Sequence, residues 1–307
     1  MADTSTSTEE YPPRAQPFSE NVLRAQQLCS EALGVDVDVE KQRDLLSVEG
    51  WSDRDVIPVR SARGTWIVKM PRVASKKAIV ACREEGQRAQ WAGSLGLGPK
   101  VAVVDDESGA FVLEMLEAHS LTTIETVKRL PDVTALLRKF HESKPAEALP
   151  LWNFYDHARS SIQEAQGSPN LSQEDKDLIE DTIKRAEAIT SPVKLVTPCH
   201  NDFWGSNIIC DKDGKLWCVD FEKAGMADPL WDVGYLALEL EAIDPRYVAR
   251  LYGLEDEESQ LKVVAYCHAA KAWSAAWCAS PFRHEGWQKF LPHYMDRLRS
   301  IPGQTYW

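Results

Sequence analysis

The run Cys199–Glu222, CHNDFWGSNIICDKDGKLWCVDFE, constrains the fold more than any other stretch of the chain. Two short apolar segments, Asn207-Ile-Ile-Cys210 and Lys215-Leu-Trp-Cys-Val219, flank the turn sequence Asp211-Lys-Asp-Gly214, a β-hairpin pattern. His200, Asp202 and Asn207 precede the hairpin in the spacing H-x-D-x-x-x-x-N, and Asp220 follows it. Closing the hairpin carries Asn207 and Asp220 towards one point. Phosphoryl transfer needs such a kit: one carboxylate accepts the proton of an attacking hydroxyl, while an amide oxygen and a second carboxylate hold Mg²⁺ against nucleotide phosphates. A surface loop with an incidental histidine and aspartate is the plain alternative.

The flanks of the hairpin differ in pattern. Residues 1–17 read as a disordered leader without the apolar core of a secretory signal. Residues 19–33 carry helical spacing behind a serine cap, and from about 43 to 70 the pattern turns to strand. A helix is expected over 75–95, stopped by Gly96-Leu-Gly-Pro99, then strands over 100–104 and 110–115. From Ser120 the pattern is mostly helical, with helices expected over 120–129, 131–142, 153–165, 172–190, 229–242, 256–280 and 284–299. The expected fold is α+β and two-lobed. An N-terminal nucleotide-binding lobe of small antiparallel sheet spans 18–116, and a helical catalytic and substrate lobe spans 117–307. A cleft between lobes is where a nucleotide would sit.

The balance of 35 basic and 47 acidic residues, a net charge of −12, argues against a nucleic-acid or anionic-membrane surface and favours a cationic partner. Seven scattered cysteines form no C-x-x-C pair, which suggests reduced thiols in a cytoplasmic protein. No stretch approaches the roughly 20 apolar residues of a membrane span.

From about residue 45 to 240 the chain resembles the aminoglycoside phosphotransferase and choline/ethanolamine kinase superfamily, which has a protein-kinase-like fold. The resemblance rests on His200-Asn-Asp202, Asp220-Phe-Glu222 and Asp228-Pro-Leu-Trp-Asp232. It is nearest in style to choline kinases, since aminoglycoside enzymes more often carry glycine where Asn201 stands. The resemblance implies ATP and Mg²⁺ as cofactors, Asp202 as the catalytic base or hydroxyl-orienting carboxylate, and Asn207 and Asp220 as metal ligands. His200, grouped with Asp202, is read as holding the loop by hydrogen bonding rather than as a base. Lys69 ends the apolar strand Trp66-Ile-Val-Lys69 and resembles the lysine that contacts the α- and β-phosphates. Its expected partner is a glutamate on the next helix. Glu84 and Glu85 both qualify, and counting back from Gly98-Pro99 favours Glu85. A phosphate-covering loop is sought at Val48-Glu-Gly-Trp-Ser-Asp53, where backbone N–H groups and Ser52 would meet phosphate; an ordinary turn is equally open there. Glu114 and Met115 resemble the strip whose backbone meets adenine. Asp232 opens a helix, where an aspartate suits the dipole, and the resemblance implies that it braces the catalytic loop.

For the acceptor, Trp273 and Trp277 stand four apart on one helix face, and Trp231, Tyr235 and Glu239 lie on the helix after the hairpin. Choline kinases resemble this layout, and an ammonium over aromatic faces gains about 2 kcal/mol when desolvated. Plain helix packing is the other fate open to such tryptophans. The expected function is therefore a Mg²⁺- and ATP-dependent kinase phosphorylating a small cationic amino-alcohol such as choline or ethanolamine. An aminoglycoside, thiamine or other small-alcohol kinase is the alternative within the superfamily, and a nucleotide-binding pseudoenzyme acting as an interaction module is the alternative outside it. A protein kinase is disfavoured, because Trp204 stands where lysine would follow Asp202, Glu222 replaces the glycine of Asp-Phe-Gly, and no Ala-Pro-Glu segment follows.

Overall fold

The computed structural model describes residues 18–38, 54–145, 149–281 and 285–301. The leader at 1–17, the strand expected before residue 54 and the loop carrying Ser52 lie outside the described residues.

The N-terminal part contains α1 (Phe18–Leu33), β1 (Val37–Asp38), β2 (Arg54–Ser61), β3 (Gly64–Pro71), α2 (Lys76–Ser94), β4 (Val101–Val104) and β5 (Phe111–Glu114). The strands form one antiparallel sheet in the order β1-β2-β3-β5-β4. β2 and β3 meet in register from Arg54↔Pro71 to Ser61↔Gly64, and Gly64 takes φ +119° to close their turn, a conformation open to glycine. Ala25, Cys29 and Leu33 on α1 pack against Ile57, Val59, Val68 and Val112 of the sheet. Ser75 caps α2 by accepting a hydrogen bond from the Ala78 amide. α2 buries Cys82, Glu85, Gly86, Ala89 and Ala92. A Cβ on Gly86 would stand 2.9 Å from the Phe111 ring, so glycine sets how closely α2 approaches β5.

The remainder is mainly helical. In chain order it has β6 (Ala118–Ser120), α3 (Thr123–Lys128), α4 (Leu130–His141), α5 (Phe154–Ala165), α6 (Gln173–Thr190), β7 (Thr197–Cys199), β8 (Ile208–Asp211), β9 (Leu216–Cys218), β10 (Gly225–Ala227), α7 (Pro229–Leu238), α8 (Pro245–Tyr252), α9 (Glu257–Ala279), α10 (Glu285–Gln288) and α11 (Leu291–Arg299). α9 is the central pillar: α5, α6, α7, α8 and α11 all pack on it. Its residues from Val263 to Ala279 are almost all buried, and each large apolar side chain taken out of water there contributes about 1.5–3 kcal/mol.

Several elements differ from the sequence expectation. Residues 118–120 form a strand before α3, because β8 pairs with them antiparallel. α8 was not anticipated: Pro245 occupies its first turn behind the Asp244 cap. The helix expected over 284–299 is two helices, since the chain turns at Phe290 before Pro292 enters the first turn of α11.

Candidate active site

The catalytic loop leaves β7, which pairs with β10 at Cys199↔Gly225. His200 is fully buried among the rings of Phe140, Phe203 and Phe221. Its Nε2 donates to the Val219 carbonyl at 3.0 Å, tying the loop to the end of the hairpin. Asp232 in the first turn of α7 braces the loop from the other side. One of its oxygens accepts the His200 amide at 2.7 Å and the His141 Nε2 at 3.0 Å, and the other accepts the Asn201 amide at 2.8 Å. Asn201 sits at φ +63°. This left-handed conformation is open mainly to glycine, asparagine and aspartate. The Trp231 indole donates to the Asn201 carbonyl at 3.3 Å, and its ring stacks on Phe154 at 3.9 Å. Trp231, sought as a substrate contact, is 1 % exposed and acts in this structure as a further brace.

β8 and β9 form the hairpin with Ile208↔Cys218 in register. The Val219 amide donates to the Asn207 carbonyl at 3.0 Å, so the strand pair delivers Asp220 beside Asn207. Asp220 stands at φ +67°, a conformation that costs a non-glycine residue of order 1–3 kcal/mol and collects at functional sites. Asp202, Asp220 and Glu222 offer carboxylate oxygens within 4.8 Å of one another. The Asn207 amide nitrogen donates to the Asp202 carbonyl at 2.9 Å, which leaves its amide oxygen as the end available to a cation. A donor set made wholly of oxygen fits a hard divalent cation such as Mg²⁺. A second cluster among the described residues, His141, Cys199 and Asp232, is buried. Burial holds the Cys199 thiol well above its ordinary pKa, and the three donors on Asp232 engage its carboxylate, so this cluster is structural.

Lys69, on β3, places its ammonium 2.8 Å from Glu85 Oε1 and 3.1 Å from Asp220 Oδ1. The structure thus distinguishes the two glutamates on α2: Glu85 faces Lys69, and Glu84 pairs with Arg88 at 3.1 Å. Burial disfavours the Lys69 charge, but Asp220 and Glu85 outweigh it and keep the ammonium protonated. Burial likewise pushes Asp220 up, and Lys69 more than reverses this, bringing its pKa to about 2. Arg54, at the start of β2, reaches Glu85 at 2.5 Å and Glu222 at 3.1 Å. The cleft beside Lys69 has a volume of about 310 Å³ and is lined by Ile67, Ala89, Leu113, Met115, Ile209 and Phe221 among others. Glu114 and Met115 lie on its rim. The Met115 amide already donates to the Thr65 carbonyl at 3.0 Å, so a base in the cleft would meet Met115 through its carbonyl.

On the far side of Asp202, Tyr235 and Trp273 form an aromatic wall with ring centroids 6.0 Å apart. Burial and the Asp202 carboxylate hold the Tyr235 phenol well above its ordinary pKa. The Trp273 indole donates to Ser161 at 3.1 Å. Trp277 meets Trp287 edge to face at 4.7 Å. Glu239 faces Arg297 at 3.7 Å, and burial raises its pKa against that pairing. Sequence reasoning missed Lys223, Arg54, His141 and Arg297. Lys223 follows the Asp-Phe-Glu triplet directly, and its charge beside the motif was the available signal. The other three reach the site from distant elements, with no local pattern to announce them.

A cleft between a small antiparallel sheet and a helical body, lined by one lysine, its glutamate and converging oxygen donors, is the layout of a kinase-like fold. A family model described as the phosphotransferase enzyme family matches residues 46–262, and the chain belongs to that family. Among curated proteins it is similar to Protein LicA of Haemophilus influenzae, 24 % identical over 198 residues, covering 63 % of this chain and 57 % of that one. The match therefore spans little more than half of that relative. In structure it is similar to the choline kinase LicA from Streptococcus pneumoniae, with TM-score 0.66 and 18 % identity over 92 % of this chain and 100 % of that one. A choline/ethanolamine kinase family protein from Mesorhizobium loti gives TM-score 0.65 at 18 % identity, covering 85 % of this chain and 88 % of that one. Among the described residues no helix is long and apolar enough to cross a membrane.

Proposed function

We propose that the chain is a Mg²⁺- and ATP-dependent kinase of a small alcohol. The observation that carries this reading is the Lys69 ammonium bridging Glu85 and Asp220 across the cleft, at 2.8 and 3.1 Å. In this reading Lys69 holds the α- and β-phosphates, with Glu85 and Arg54 fixing its position. Asn207 and Asp220 would hold the cation, which supplies neutralisation of phosphate charge when bound. Asp202 orients the acceptor hydroxyl. The acceptor oxygen bonds to the γ-phosphorus as the bond to the β,γ-bridging oxygen breaks, ADP leaves, and the hydroxyl proton passes late to Asp202. His200 and Asp232 keep the Asp202 backbone in place and touch no reacting atom.

A cationic amino-alcohol is the second reading of the acceptor. The aromatic wall of Tyr235 and Trp273 with Glu239 nearby favours it, as does the likeness to a choline kinase and to a choline/ethanolamine kinase family protein. Trp277 would belong to such a cage only through its place beside Trp273 on α9.

An ADP-release screen with Mg-ATP against choline, ethanolamine, thiamine, sugars and aminoglycosides tests the reading. At least one alcohol should stimulate ADP release. Asp202→Asn should then lower turnover about 10²–10⁴-fold with nucleotide affinity nearly intact, because it removes a positioned proton acceptor. Full activity in that variant would sink the mechanism.

A further inference from the structure

The acceptor side of the site holds carboxylates and aromatic faces of the kind that attract an ammonium, and the chain's own cations already engage them. The Lys223 ammonium lies 3.1 Å from Asp202 Oδ2, 3.8 Å from Glu222 Oε1 and 5.6 Å from the Trp273 ring centroid. Arg297 faces Glu239 at 3.7 Å, also pairs with Glu241, and stands 5.8 Å from the Tyr294 ring. Lys223 is rooted firmly, since its backbone carbonyl accepts the Asn201 side-chain amide at 2.9 Å beside the catalytic loop. Asp202 and Glu239 are thus each matched by a basic side chain.

Geometry makes this consequential. An acceptor hydroxyl must come within hydrogen-bond reach of the Asp202 carboxylate, about 3 Å. Lys223 touches the same carboxylate. Where the acceptor hydroxyl shares Asp202 Oδ2 with Lys223, a substituent one or two carbons from that hydroxyl can lie about 4–6 Å from the Lys223 ammonium, by ordinary bond lengths and the reach required for proton transfer. At that separation a second positive charge is repelled and an oxygen acceptor is attracted.

We propose that Lys223 is the specificity-determining residue of the acceptor site, selecting a small hydroxy compound that presents an oxygen acceptor, neutral or anionic, beside the reacting hydroxyl, and excluding a permanent cation. This rests on the kinase reading and deepens it by naming the acceptor class. Lys223 also places at the site the positive charge that Trp204 cannot supply from its position two residues after Asp202.

The test is steady-state kinetics of the full chain with saturating Mg-ATP. The acceptors are choline, its isostere with a quaternary carbon in place of nitrogen, glycerate as the anionic arm and erythritol as the neutral polyol arm. Wild type should use glycerate or erythritol best, and the carbon isostere better than choline; which of the two leading arms wins tells anionic from neutral recognition. Lys223→Met should lower the KM for choline about tenfold or more, the scale expected when a repelling charge about 5 Å away is removed from a partly screened site. It should raise the KM for the oxygen-rich arms by a similar factor and leave the KM for ATP within about twofold. Lys223→Arg should keep the wild-type ranking. Choline outperforming its isostere in wild type would overturn the inference while leaving the kinase reading intact. So would an equal loss of kcat for every acceptor in Lys223→Met, which would assign the lysine to the phosphoryl step. Absence of ADP release with every acceptor would overturn the kinase reading and the inference with it.

Discussion

Asn201 and Asp220 are the two non-glycine residues with positive φ among the described residues, at +63° and +67°. They stand on either side of Asp202, one against it in sequence and the other against its carboxylate in space. The strained backbone at Asn201 aims its amide at Asp232 while its side chain ties down Lys223, so one residue orders both the loop carrying Asp202 and the neighbouring ammonium. Asn201→Gly and Asn201→Ala both remove the bond to the Lys223 carbonyl, and their difference isolates the backbone. Glycine should be the more stable of the two by about 1 kcal/mol, because alanine meets the left-handed penalty that glycine escapes. Chemical denaturation of the two variants side by side measures this. Equal stability would mean that the loop relaxes to negative φ when the asparagine is lost.

At the scale of elements, α2 offers the sharpest test, since two adjacent glutamates on one helix meet different partners. Glu85 is 1 % exposed and lies between Lys69 and Arg54, while Glu84 reaches only to Arg88, four residues on along the helix surface. Lys69→Ala should lower turnover and raise the KM for ATP; Glu85→Ala should give a milder copy, and Glu84→Ala almost none, as for an exposed pair worth about 0.3–0.5 kcal/mol. A damaged Glu84 variant with an intact Glu85 variant would show that the helix works in another register. Much of this level was legible in the chain itself. The helical pattern over 75–95 and the Gly96-Leu-Gly-Pro99 stop outlined α2, and the Asp211 turn outlined the hairpin, because each signal is local. α8 and β6 were not legible for a matching reason. Pro245 reads alike as a breaker or a first-turn residue until its cap is seen, and a three-residue strand exists only because β8 lies beside it. Asp202, Asn207 and Asp220 stand out by their spacing and Lys69 by the family resemblance, whereas Arg54 acquires meaning only once the lobes meet.

For the whole molecule, acid should be the weak side. His268, on the central α9, is 7 % exposed, and burial together with the charges of Lys271 and Arg246 depresses its pKa to about 3. The unfolded chain takes up a proton near pH 6.5 that the folded chain refuses. The contribution of neutral His268 is therefore fully present above about pH 6.5 and is lost as pH falls towards the folded-state value. At pH 5.5 the loss is about 1.4 kcal/mol from this group alone. Denaturation of wild type and His268→Gln at pH 7.5 and 5.5 should show the variant less acid-sensitive by about that amount; equal sensitivity would place the effect on other groups. The molecule is also strapped across its cleft. Arg54 of the sheet reaches the Glu222 carboxylate at 3.1 Å, and Arg88 of α2 donates to the Glu222 backbone carbonyl at 2.6 Å, so one residue beyond the hairpin fastens both layers of the small lobe to the large one. Parting the two lobes means undoing both of these bonds, so Glu222 sets part of the cost of opening the cleft.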